Sequence, residues 1–95
     1  MKIMLEDILY IEGLKDYIKI HLRNQKFPIV CRMTMKLISE RLPSDSFLRI
    51  HKSYIVSLKK VESIRNQKIK IGENHIPLSE NYSDTFYQTI GYQKP

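Results

Sequence analysis

Ninety-five residues with 42% hydrophobic side chains make one domain with a modest core and leave no room for a second. Sixteen Lys and Arg against ten Asp and Glu give a net charge of +6, which favours phosphate backbones, acidic proteins or anionic lipid, although simple solubility also explains it. The single cysteine, Cys31, excludes an intrachain disulfide, and no apolar run approaches the ~20 residues needed to span a bilayer.

The N-terminal segment Met1–Asp7 has acids, Glu6 and Asp7, where a signal peptide would carry its apolar stretch, so the chain reads as cytoplasmic. Ile8-Leu9-Tyr10-Ile11 predicts a short strand ended by Glu12-Gly13. Tyr17–Leu22 alternates, with Ile18, Ile20 and Leu22 on one face and Tyr17, Lys19 and His21 on a solvated one, the pattern of a half-buried strand. Arg23–Lys26 is a polar turn. Phe27–Cys31 returns as a strand whose Pro28 suggests an edge, with Cys31 a buried, inert thiol. Thr34 suits an N-cap for a short helix with Met35, Ile38 and Leu42 on its core side, stopped by Pro43. Leu48–Ile50 and Tyr54–Val56 are strand-like, and Val61–Ile64 with Lys68–Ile71 predict a hairpin around Asn66-Gln67. A last strand spans His75–Leu78. Ser79 then caps a helix over Glu80–Ile90, with Tyr82, Phe86 and Ile90 facing the core and Gly91 ending it. The short turns between strands favour antiparallel pairing.

Most enzyme chemistry is excluded. His21, His51 and His75 lie far apart without metal-ligand partners, the three glycines form no phosphate loop, and no Ser, His and Asp spacing supports a nucleophile triad. Neither a catalytic residue nor a cofactor or metal is expected. A helix-turn-helix also fits poorly, because the two predicted helices are separated by a long strand-rich stretch. The informative segment is Leu48–Ile64. Its stretch Arg49–Lys60 holds Arg49, His51, Lys52, Lys59 and Lys60 with two serines and no acid, on a framework with a core-facing side. That is a surface for reading an anion, and in a small basic protein nucleic acid is the first to consider.

Four segments in order resemble the LytTR DNA-binding domain. Asp7-Ile8-Leu9-Tyr10-Ile11-Glu12-Gly13 resembles its opening, and Tyr17–His21 its next strand. Phe47-Leu48-Arg49-Ile50-His51-Lys52-Ser53-Tyr54-Ile55-Val56-Ser57 resembles its central signature, and Ile76-Pro77-Leu78-Ser79-Glu80-Asn81-Tyr82 its closing motif. The resemblance implies a mainly β fold, an elongated stack of small antiparallel sheets with one or two short helices. It also implies DNA contact by loops in successive major grooves, with the minor groove touched between them, and a place behind a receiver domain in a bacterial response regulator that controls transcription. The opening Met1-Lys2-Ile3-Met4 is slightly short for the family's first strand, which predicts that residues 1–95 are one such domain cut from a longer regulator without its receiver.

Three loops carry over: Lys15, Asp16 and Tyr17 after Leu14; His51, Lys52 and Ser53; and Ser79, Glu80 and Asn81. The turn Asn66-Gln67-Lys68 would lie near the backbone on the same side. Lys52 can neutralise a phosphate or donate to a base acceptor, and the fork of Arg49 suits phosphate oxygens. Ser53, Ser79 and the helix start near Glu80 can donate to phosphates. Asn81 either pairs with a base edge or caps the helix. Glu80 stands where some members carry a base-reading Arg; it either accepts from a cytosine amino group or serves as a first-turn helix acid. Asp16 reads a base or repels the backbone. His51 either touches DNA or sets the turn by bonding to backbone. Ser57 replaces the common Asn of the signature. Lys59 and Lys60 are solvated charge or long-range attraction, and Tyr54, Ile55 and Val56 are core.

The sequence thus points to a sequence-specific, non-enzymatic DNA-binding effector domain that favours two copies on repeated half-sites of double-stranded DNA. The rival is a β-type protein-interaction module using a sheet edge, which exposed apolar residues over Phe27–Cys31 would favour. Binding to an anionic membrane surface ranks last, since no basic amphipathic helix is present.

Overall fold

The computed structural model describes residues 2–91, so Met1 of the opening segment lies outside the described residues. Eight strands form two antiparallel sheets. The larger contains β1 (Ile8–Leu14), β2 (Tyr17–Leu22), β3 (Ile29–Arg32), β4 (Phe47–His51) and β5 (Tyr54–Ser57) in the order β3-β2-β1-β5-β4. The smaller contains β6 (Ser63–Arg65), β7 (Lys68–Ile71) and β8 (Asn74–Pro77) in sequential order. Helix α1 (Met35–Arg41) separates β3 from β4, and α2 (Glu80–Ile90) follows β8. The expected mainly β stack of antiparallel sheets with one or two short helices is the fold observed, with two helices and extents of 41 × 26 × 21 Å.

Period-two alternation builds the large sheet with a core on each face. One face gathers Ile8, Ile11, Ile18, Ile20, Leu22, Phe47 and Ile55 beneath Ile38 of α1 and Leu42, the residue that ends that helix. The other gathers Tyr10, Ile50 and Val56 against Ile69, Ile71, Ile76 and Leu78 of the small sheet and Phe86 and Tyr87 of α2. Ile8 and Ile11 share a face although three residues apart, because the β1–β2 register shifts between Ile8 and Tyr10. Such a bulge inserts one residue and resets the alternation.

Several boundaries differ from expectation. β1 does not end at Glu12-Gly13 but continues to Leu14, and the reason lies at Gly13. A β-carbon there would sit 2.6 Å from Met35 Cγ, so only glycine lets the strand run under α1 without displacing that side chain. β3 begins after Pro28 rather than at Phe27, since proline cannot donate to the ladder, and it does form an edge. Cys31 is half-buried rather than enclosed. Leu58–Lys60 form a short 3-10 turn, which delays β6 to Ser63. His21 is not merely solvated: its ring stacks on Tyr10 at 4.1 Å and its Nε2 lies 3.2 Å from Glu12 Oε1. Thr34 caps α1 as expected, its hydroxyl accepting from the Leu37 amide at 3.1 Å.

The buried face of α2 is Ser83, Phe86 and Tyr87, not the expected Tyr82, Phe86 and Ile90; Tyr82 packs at the margin and Ile90 is exposed. Ser83 Oγ is buried and has no hydrogen-bond partner among the described residues. Burying an unpaired hydroxyl costs about 1–3 kcal/mol. Ser83→Ala is therefore expected to stabilise the domain by about 1 kcal/mol, a rise of roughly 4–8 °C in Tm for a domain of this size. A thermal melt showing no rise would refute this account of Ser83.

Candidate nucleic-acid interface

The loops singled out in the sequence are joined in a row by backbone hydrogen bonds. The Lys15-Asp16 turn closes the β1–β2 hairpin, with Lys15 in the left-handed region at φ +56°. Two residues back along β1, the Gly13 amide donates to the Ser53 carbonyl at 2.8 Å, which sets the β4–β5 turn beside it. At the end of β4, the Ser79 amide donates to the Ile50 carbonyl at 2.9 Å and brings in the start of α2. The Leu78 amide then donates to the Gln67 carbonyl at 2.9 Å and adds the β6–β7 turn. The order along the row is 15–16, 51–53, 79–81, 66–68.

A bulge makes the central link. Arg49 pairs with Ile55 and His51 with Tyr54, so Ile50 is the extra residue of β4. Its side chain is fully buried while its carbonyl receives Ser79.

The 51–53 turn is braced by its own side chains. Arg49 Nε donates to the His51 carbonyl at 3.3 Å and its Nη2 to the Lys52 carbonyl. Two of the five guanidinium donors are thus committed to the loop backbone, and Arg49 is not the freely offered fork expected from the sequence. The Ser53 amide donates to His51 Nδ1 at 3.0 Å. An amide can only donate, so Nδ1 carries no proton and the ring proton sits on Nε2. Of the two readings of His51, turn setting is observed directly. Lys52, at the tip, is exposed.

The other loops also differ in detail. Tyr17 belongs to β2, opposite Leu14 and Arg32, which leaves a turn of Lys15 and Asp16 alone, both exposed. Asp16 contributes its carbonyl to the Met33 amide at 3.0 Å. Ser79 occupies the N-cap position of α2 but its side chain makes no capping bond, so the expected cap is positional only. Asn81 lies inside the first turn of α2 and is exposed, so it is not the cap. The Glu80 carboxylate, in that same turn, accepts from Gln67 Nε2 at 3.4 Å.

Gln67 was expected only as part of the turn, and its bracing contacts are what sequence reasoning missed. Asn66 and Gln67 take φ of +52° and +60°, a two-residue turn of the kind that prefers Asn-Gly. Gln67 accepts that unfavourable conformation while its side chain reaches the Leu78 carbonyl at 3.2 Å and Glu80. The absence of glycine at a tight hairpin was the available signal. Asn66 and Lys68 flank Gln67 in this turn, with Lys68 opposite Pro77 in the ladder to β8.

Beside the row lies a cluster of rings. His51 meets Tyr54 edge-on at 5.4 Å, and Tyr54 meets Tyr10 at 6.3 Å. Burial raises the phenol pKa of both Tyr10 and Tyr54, and the Glu12 carboxylate raises them further. Both hydroxyls therefore stay protonated, and able to donate, at any physiological pH.

Among the described residues no group of His, Cys, Asp and Glu is placed to hold a metal ion, and no helix is long and apolar enough to cross a membrane. A family model described as the LytTr DNA-binding domain matches residues 1–91. The fold is similar to the LytTr DNA-binding domain of a protein described as a methyl-accepting/DNA response regulator from Bacillus cereus. The TM-score is 0.84 at 18% identity, over 97% of this chain and 88% of that one. No curated protein matches the chain.

Proposed function

The chain belongs to the LytTR DNA-binding domain family, and from that membership we propose that it reads duplex DNA sequence-specifically through the row of loops. In this reading it serves as the effector domain of a bacterial response regulator whose receiver domain lies elsewhere in the full protein. Lys52 is the central contact, presented by a turn that Arg49 and His51 hold in shape. Lys15 and Asn81 stand in the neighbouring loops, and Asn66 and Lys68 reach the flanking phosphates. Two copies occupy repeated half-sites. No step of chemistry is assigned; the work is recognition.

The observation that carries this reading is the hydrogen-bonded row itself. Four loops separated in sequence are joined edge to edge by backbone amides and carbonyls, on a molecule 41 Å long. One turn of B-DNA spans ~34 Å, so a body of that length can follow one side of the duplex from one major groove to the next.

A mobility-shift titration across salt tests it, using a duplex selected from a random pool. Affinity should fall steeply with salt, because each neutralised phosphate releases counterions. Lys52→Ala should weaken binding, and reduce the slope of log affinity against log salt by about 0.9 if Lys52 meets a phosphate. A flat salt response rejects the reading. So does parental binding by Lys52→Ala, Arg49→Ala and Asn81→Ala alike.

One observation favours a second reading. Val30 on the β3 edge is 56% exposed and Phe27, just before that strand, 74% exposed, the feature expected of a protein-interaction module. Partner capture that needs Phe27 and Val30 but proceeds without DNA would support it.

A further inference from the structure

We propose that the outward face of the small sheet is a second phosphate-binding surface, which takes the DNA backbone flanking the site read by the loops. This rests on the DNA-binding reading above and extends it to residues outside the loops.

Alternation sends Ile64, Ile69, Ile71 and Ile76 inward to the core. The opposite face therefore carries Ser63 and Arg65 of β6, Lys68 and Lys70 of β7, and His75 of β8. Together with Asn66 these residues line a shallow concavity. The strand register sets them in two rows: Arg65 opposite Lys68, and Ser63 opposite Lys70 opposite His75. Two cations directly across a strand pair repel and weaken the sheet unless an anion sits between them. Among the described residues no carboxylate pairs with Arg65 or Lys68. Glu62 Oε1 lies 3.8 Å from Lys70 Nζ, and its other oxygen accepts from the Gly72 amide at 2.6 Å. An exposed pair of that length is weak and gives way to a stronger anion.

Position makes the partner DNA rather than a free anion. The Asn66-Gln67 turn is the last member of the row of loops, and the basic face begins on both sides of that turn. From there the second row lies two residues further along the strands, about 7 Å away. A duplex lying along the loops presents one negative charge per ~1.7 Å of its axis. Its backbone beyond the last loop passes over this face. His75 can donate from a ring N–H whether charged or neutral.

The test compares two duplexes, one trimmed to the selected site and one extended by about one helical turn (~10 base pairs) on each side. The parent should bind the extended duplex more tightly and with the steeper salt slope. The double variant Arg65→Gln/Lys70→Gln should abolish that gain, lowering the slope on the extended duplex by about 2, at ~0.9 per phosphate, and leaving the trimmed duplex unchanged. Ser63→Lys, which adds a cation to the second row, should steepen the extended-duplex slope by about 1. Lys52→Ala should weaken both duplexes. The proposal is overturned if the double variant keeps the parental slope on the extended duplex, as it would were this face built for an acidic protein. It is equally overturned if the variant loses affinity on both duplexes to the same degree. Failure of the underlying DNA reading looks different: the parent itself would show no salt dependence on either.

Discussion

Phe86→Ala lowers the stability of the domain by about 3–5 kcal/mol, the range found when a large aromatic is cut from a packed interior. Phe86 is fully buried, packs edge-on to Tyr87 at 5.7 Å, and shares its cluster with Ile50 of the large sheet and Ile69, Ile71 and Ile76 of the small one. It is the side chain at which α2 and both sheets meet. Truncation leaves a cavity that three elements would have to move to fill, and two of them are β-ladders held in register. Domains of this size have only about 5–15 kcal/mol in total, so a fall in Tm on the order of 15 °C or more is expected. Ile90→Ala is the control: it removes an exposed apolar residue of the same helix and should cost less than about 0.5 kcal/mol. Similar losses for the two variants, read by thermal or denaturant unfolding, would mean that α2 is not docked through Phe86. DNA binding by Phe86→Ala should fail at a lower temperature than that of the parent, because Ser79 and Leu78 hold the loop row through the same helix start.

What the sequence discloses and what it hides divide along physical lines. Alternation made β2 legible, since Ile18, Ile20 and Leu22 bury one face while Tyr17, Lys19 and His21 take the other. Local chemistry made the C-terminal end of α2 legible, where Gly91 takes the left-handed φ of +72°, while Ser79 marks the other end by position without a side-chain cap. The buried face of that helix was not legible. Hydrophobicity ranks Ile90 above Ser83, but burial is decided by what α2 lies against, and β4 and the small sheet cover residues 83, 86 and 87. The row of loops could be expected only through the family resemblance. Its cause is a set of backbone bonds between positions as distant as Gly13 and Ser53, to which side-chain identity contributes little. The bracing role of Arg49 was hidden, and that of His51 was left open between two readings, for a related reason. Both depend on a bulge at Ile50 that turns their side chains back onto the loop, and no residue type encodes that bulge by itself.

Arg49 supplies the sharpest mutational test, because bracing a loop and touching a phosphate leave different traces. Arg49→Lys keeps the charge but loses the planar fork that reaches two carbonyls at once, so the loop carrying Lys52 is no longer held from both sides. Hydrogen bonds to a charged donor contribute about 1.5–3 kcal/mol, and ordering the loop at the moment of binding would cost a similar amount. DNA affinity should therefore fall roughly 10–100-fold. The salt slope decides the cause. A lysine that still meets the backbone, or an arginine that never did, leaves the slope at the parental value, whereas removal of a phosphate contact lowers it by about 0.9. The brace assignment therefore expects Arg49→Ala to match Arg49→Lys in affinity, with both retaining the parental slope. Lys52→Ala, with no brace to lose, should change the slope instead if it meets a phosphate. If Arg49→Lys binds like the parent while Arg49→Ala loses both affinity and slope, Arg49 acts on DNA by charge. Its bonds to the His51 and Lys52 carbonyls would then be incidental to recognition.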